Sequence, residues 1–262
     1  MKKDYHVFLF SLLTKFLNFM LAIFRKEITV FFSSLIGYIT MGVFLIALGL
    51  FVWLFTESSV LQSGYANIDA LFTTAPLILL FLIPAITMRS LAEENKNGTI
   101  ELLTTRPLTD WQIIVGKYLA ALALYAISLL PTLVYYYSVY HLAQPVGNID
   151  HGALIGSYFG LLMLGASFTA IGIFSSSITS NQVVAFIIAF SLCFIMYLCF
   201  DYLAQLPGIF GKFDYYVQQI GINAHYTAVS YGVIDSRDVI YFLSVIILFL
   251  FGTKTVLNSR KW

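Results

Sequence analysis

The chain has 262 residues, 60% of them hydrophobic and 10% charged, with a formal net charge of +1. Soluble domains carry roughly 25% charged and 45–50% apolar residues, so a water-soluble globule is excluded; a disordered chain needs the opposite composition, and so neutral a chain lacks the basic surface that nucleic acid requires. The two cysteines, Cys193 and Cys199, lie in one apolar run on opposite sides of a helix and are expected as free thiols.

The N-terminus carries Lys2 and Lys3 ahead of the apolar stretch 7–13, but Lys15 interrupts it and no small-x-small cleavage site follows, so it is expected to stay in the mature chain. Between Leu17 and Ser33 the residues Asn18, Ala22, Arg25 and Thr29 form one helical stripe, with Lys26 alongside and apolar residues over most of the remainder. This predicts an amphipathic helix lying on the cytoplasmic leaflet, as an anchor or with a further role. Glu27 falls on its apolar side, where only a protein partner would account for it.

A bilayer core of about 30 Å is crossed by roughly 20 apolar helical residues. Runs of that kind are found at Ser34 to Phe55, Leu71 to Met88, Ile113 to Tyr135, Ala153 to Ser175, Val183 to Phe200 and Val239 to Leu257. The expected fold class is therefore all-α, a polytopic membrane protein with six transmembrane helices. Its layout is an N-terminal segment 1–33, a membrane domain 34–257 with a cytoplasmic loop 89–112 and an outer segment 201–238, and a tail 258–262. Twelve of the fourteen Lys and Arg residues fall on one side of this arrangement. The positive-inside rule then puts both termini in the cytoplasm. The outer segment, with Leu203, Phe213, Tyr215 and Tyr216, is too apolar to float in water and is expected to form short helices.

No Asp, Glu, His or Arg stands centrally in a span, and Lys117 and Lys254 are near enough to the cytoplasmic ends to snorkel. That argues against an ion-coupled transporter. His6, His141, His151 and His225 have no ligand-spaced partners, so no metal site is expected. Neither Gly116-Lys117 nor Gly211-Lys212 completes a P-loop, because Trp111 and Leu206 stand where the first glycine belongs, and the chain is not expected to bind ATP. Gly152, Gly156, Gly160, Gly165 and Gly172 give the fourth span a small-residue stripe, expected to serve internal packing with a dimer face as the alternative.

The loop between spans 2 and 3 carries the chemistry. Span 2 can continue as helix through Lys96, with Asn97-Gly98 as its stop. Thr99 can cap a second short helix over 100–105, ended by Pro107, and Thr109 with Gln112 forms a capping box that restarts the chain into span 3. Leu102 and Leu103 stand out as apolar, flanked by Glu93, Glu94 and Glu101. The residues alone fit either a docking knob rimmed by charge or a capped turn with solvated glutamates.

The string Glu93-Glu94-x-x-x-Gly98-Thr99-x-Glu101-Leu102-Leu103-x-x-x-Pro107, followed by Gly116-Lys117, resembles the cytoplasmic loop of ABC-2 type transporter permeases. The resemblance extends over nearly the whole chain, from Phe24-Arg25-Lys26-Glu27 ahead of span 1 to Arg260-Lys261-Trp262. It implies a non-catalytic permease subunit of an ATP-driven exporter in the bacterial inner membrane. Glu93, Glu94, Gly98, Thr99, Glu101, Leu102, Leu103, Arg106 and Pro107 would then form the ATPase-coupling site, and Arg25, Lys26 and Glu27 would mark the interfacial helix. ATP and magnesium would be held by a separate ATPase subunit. A second membrane subunit with a large extracytoplasmic domain, or a second copy of this permease, would complete the assembly in the lipid bilayer. Within the family, the stretches Ala22 to Tyr38 and Phe81 to Pro107 are similar to the permease subunits associated with gliding motility in Bacteroidota. Asn95 departs from the pattern, since relatives more often carry a basic residue there. A passive scaffold or channel component outside the ABC class is the competing expectation.

Overall fold

The computed structural model describes residues 2–55, 60, 68–99, 109–206, 211 and 213–259, with side chains from residue 17 onward. Among them no strand occurs, and six helices are long and apolar enough to cross a membrane: Leu35–Phe55, Asp69–Lys96, Asp110–Leu142, His151–Ile178, Gln182–Ala204 and Ser236–Ser259. The all-α, six-span class expected from the apolar runs is the fold observed.

The first helix, α1 (Lys2–Ser33), is longer than the amphipathic stretch alone predicted, and it ends where the Ser34 side chain caps α2 (Leu35–Leu50) by accepting from the Ile36 N–H at 3.3 Å. A π-helical turn, Phe51–Phe55, extends α2. The second span is α3 (Asp69–Thr87), with Pro76 and Pro84 inside it, then a turn and the short α4 (Ala92–Lys96). Gly98 beyond it takes φ +67°, the left-handed value expected of a helix stop. Thr109 caps α5 (Asp110–Leu129) through the expected capping box, with Gln112 Oε1 accepting from the Thr109 N–H at 2.7 Å. Pro131 sits in a 3₁₀ turn (Leu130–Thr132) and α6 (Leu133–Leu142) continues the third span beyond the expected end at Tyr135.

The fourth span, α7 (His151–Ile178), is the axis of the bundle: 78% of its most apolar window is buried, against 22% for the first and fifth spans. Its glycines explain how. A Cβ on Gly165 would stand 2.1 Å from Tyr125 Cε1, and one on Gly172 would stand 2.1 Å from Thr87 Oγ1. The stripe thus seats side chains of α5 and α3 within the same chain, which is the internal-packing alternative. Tyr125 is fully buried and still satisfied, its hydroxyl donating to Leu161 O at 2.6 Å. Gly165→Ala is expected to drive that ring out of place and cost about 1–3 kcal/mol, seen as a lower thermal midpoint of the detergent-solubilised protein.

After α7 come α8 (Gln182–Phe194), a π-helical turn (Ile195–Cys199) and α9 (Phe200–Ala204). Cys193 and Cys199 are free, as expected. The segment 201–238 holds α10 (Asp214–Gln218) and α11 (Ile222–Ser230), the short helices its apolarity predicted, and α12 (Ser236–Ser259) closes the bundle. His225, expected to be isolated, is not. Its Nδ1 lies 2.7 Å from Asp238 Oδ1 and its Nε2 3.1 Å from Gln219 O, while its ring stacks on Tyr241 at 3.9 Å. These contacts pin α11 to the start of α12. Thirteen residues separate His225 from Asp238, too many for a local spacing rule to detect.

Candidate functional site

The most distinctive polar assembly lies at the end of the bundle that carries Arg89, Lys96 and Lys117. It joins α1, the turn after α3, α4 and α5. The Lys117 ammonium, on a side chain only 1% exposed, meets Glu27 Oε1 at 2.7 Å and Glu94 Oε1 at 3.0 Å, and donates to Ser90 O at 2.6 Å. All three of its N–H donors are thereby used. Lys26 meets the same Glu94 oxygen at 2.7 Å and Glu27 at 3.6 Å. Two lysines and two glutamates form a neutral cluster that couples three helices.

Each member is placed by its helix. Glu27 projects from the face of α1 opposite the exposed Arg25 and Thr29, so the partner its position demanded is Lys117 of the same chain. Lys117 follows Gly116, where a Cβ would come within 3.2 Å of Met20 O and Ile23 side-chain atoms. The Gly-Lys pair that fails as a P-loop therefore lets α1 approach α5 and then clamps it. Lys117 does not snorkel as expected. A buried lysine with three acceptors loses less than it would by reaching past a helix that blocks its way. Glu94 is corrected likewise: it is buried at 8% relative exposure and paired twice, whereas Glu93 beside it stays half-buried with no such partners among the described residues. The second Glu94 oxygen, Oε2, is buried and meets no donor among the described residues.

Burial works to lower the Lys26 pKa, but the hydrogen bond to Glu94 and the charges of Glu94 and Glu27 outweigh it and hold the group above its usual value. A raised lysine contributes its stability fully below the unfolded value and loses it as pH rises through the folded one, so the ammonium is retained throughout the neutral range. Its side chain is 54% exposed, and such pairs contribute only about 0–1 kcal/mol.

Asn95 turns the other way. Its Nδ2 donates to Ser177 O at 3.5 Å and Thr179 O at 3.4 Å, tying α4 to the end of α7. Asn95 thus faces its own bundle. Thr99 Oγ1 donates to Glu94 O at 3.4 Å. Of the expected coupling residues, Glu93, Glu94, Gly98 and Thr99 are brought together at α4 and its stop, while Glu101, Leu102, Leu103, Arg106 and Pro107 lie outside the described residues. Lys117 was missed as a site residue. A charge two turns into an apolar span, facing a glutamate on the apolar side of a neighbouring helix, was the signal available for it.

Six helices fit to span a membrane, an amphipathic helix packed on the third of them and a charged hub at one end define a polytopic membrane protein. Residues 21–258 match the family described as ABC-2 family transporter protein, and the chain belongs to that family. It is also 30% identical over 125 residues, 46% of its length, to the probable multidrug ABC transporter permease YbhR of Escherichia coli K12, and equally to the YbhR of Escherichia coli O157:H7. The match covers 32% of the length of those relatives.

Proposed function

We propose that the chain is the membrane permease subunit of an ATP-driven exporter, set in the inner membrane with both termini cytoplasmic, and that the segment 97–108 docks on a separate ATPase subunit that binds ATP and magnesium. The observation that carries this reading is the hub around Lys117. Immediately ahead of that segment, α4 is tied by ions to α1 and α5 and by Asn95 to α7. Force applied at 97–108 would reach three helices through these ion pairs and hydrogen bonds, so ATP-driven movement of the ATPases would shift the spans as rigid bodies between inward and outward states. The family expectation, membrane subunit plus ATPase, supports the same assignment.

A second membrane subunit with a large extracytoplasmic domain, or a second copy, packs on the first and fifth spans, whose faces expose Val43, Ile46, Val183 and Ile187. The first, second and fifth spans line the passage. The cargo is lipidic or amphipathic, or the machine transmits force without cargo. The assembly serves gliding motility, a reading supported by the similarity of Ala22 to Tyr38 and Phe81 to Pro107 to such permeases.

Affinity purification of the tagged chain from mild detergent is expected to bring down an ATPase with a complete P-loop; repeated recovery of the chain with no ATPase would reject the proposal. Orientation has its own test. In a Cys193→Ser, Cys199→Ser background, a cysteine at Gly147 is expected to react with an impermeant thiol reagent in intact cells and one at Asn97 is not. Labelling of Asn97 would invert the topology.

A further inference from the structure

Beside the charge cluster, α1, the start of α2, the end of α3, α4 and α5 line an open cleft with a cavity volume of about 60 Å³. Four charged side chains line it, and they divide into two kinds. Glu27 and Lys117 neutralise each other at 2.7 Å. Arg89 and Glu93 do not pair: among the described residues no ion pair joins either to anything. Yet they sit one helical turn apart, with the Glu93 N–H donating to Arg89 O at 3.3 Å, so both side chains are on the same side of the turn.

Arg89 is the less satisfied of the two. Its Nη1 makes one long contact, 3.5 Å to Ser34 Oγ, and its Nε is shut from solvent with no acceptor among the described residues. A buried, unmet guanidinium donor asks for an explanation, and a phosphate, like a carboxylate, offers oxygens that a guanidinium fits well. A bare anion does not suit the rest of the cavity, because Glu93 would repel it. A group bearing phosphate and ammonium two carbons apart would satisfy both residues at once. The walls supply the third element: Phe31 and Leu124 are apolar, and at the rim Val30 and Ile36 are 54% and 41% exposed, a surface suited to an acyl chain.

We propose that this cavity binds a glycerophospholipid with a primary-amine headgroup, its phosphodiester on Arg89, its ammonium on Glu93 and a chain over Val30 and Ile36. The lipid would wedge between the amphipathic helix and the first span, next to the hub but not part of it. The inference needs only that the chain sits in a bilayer. It is tested without an ATPase, so its failure and that of the transporter reading are separable.

The test is native mass spectrometry of the delipidated full-length chain in detergent, with equimolar phosphatidylethanolamine and phosphatidylglycerol of identical acyl chains. Wild type is expected to retain the ethanolamine lipid about tenfold over the glycerol lipid, as one charge-assisted contact would give. Arg89→Gln should lower retention of both lipids, and Glu93→Gln should equalise them without loss of total lipid. Should Arg89→Gln misfold, the half-buried Glu93 variant decides alone. Equal retention of the two lipids by wild type overturns the proposal, as does a wild-type preference that survives Glu93→Gln. Displacement of the lipid by millimolar inorganic phosphate would overturn it in favour of a free-anion site.

Discussion

Lys117→Met is expected to be the most damaging single change to stability in the membrane domain. It removes a cation from the only cluster member that touches both glutamates at hydrogen-bonding distance, leaving Glu27 and the buried Glu94 with an excess negative charge that half-exposed Lys26 alone must balance. Breaking a buried pair by removing one partner costs about 3–5 kcal/mol, which for a domain of this size lowers the thermal midpoint by on the order of 10 °C. The double variant Lys117→Met, Glu27→Gln restores neutrality, with Lys26 still on Glu94, and is expected to recover most of the loss. A Lys117→Met protein that melts with wild type would show that the cluster does not hold α1 and α4 to α5.

The largest functional effect is expected at Leu102 and Leu103. Placed in an apolar pocket on an ATPase, an aspartate at either position would be an unpaired buried ion, a penalty of several kcal/mol. The Leu102→Asp, Leu103→Asp protein should therefore insert at normal levels, melt as wild type does and lose its ATPase on purification. Full retention of the ATPase with intact transport would reject docking through these residues. Glu93 and Glu94 no longer form one test. Glu93→Gln should leave the fold nearly untouched, since among the described residues Glu93 has no ion pair to lose. Replacing Glu94 strips a buried partner from two lysines and damages the bundle before any docking is measured.

The spans were legible because a run of apolar residues long enough for a bilayer has few other uses, and caps such as Thr109 with Gln112 act within one turn. The small-residue stripe of the fourth span was legible as packing, but its partners Tyr125 and Thr87 were not, because the approach of one helix to another leaves no mark on either sequence alone. The charge cluster escaped for the same reason. Glu27 and Lys117 are 90 residues apart, and Lys26 and Glu94 are 68 apart. Local pattern showed each as an anomaly, a glutamate on an apolar face and a lysine inside a span. Physical chemistry says that such anomalies must meet, since neither charge is stable there alone. The pair His225 and Asp238 follows the same logic at the other end of the bundle. Glu94 was misjudged because a loop rich in glutamate looks solvated until α1 is laid across it.

The central claim is that the chain passes force to and from an ATPase through the segment beyond α4. Site-specific photocrosslinking tests it most directly, with a photoreactive residue at Leu102 in one variant and at Gly147, at the opposite end of the bundle, in another. The account predicts an ATPase adduct from Leu102 and none from Gly147. An ATPase captured from Gly147, or from neither position in a complex that still hydrolyses ATP, would contradict it.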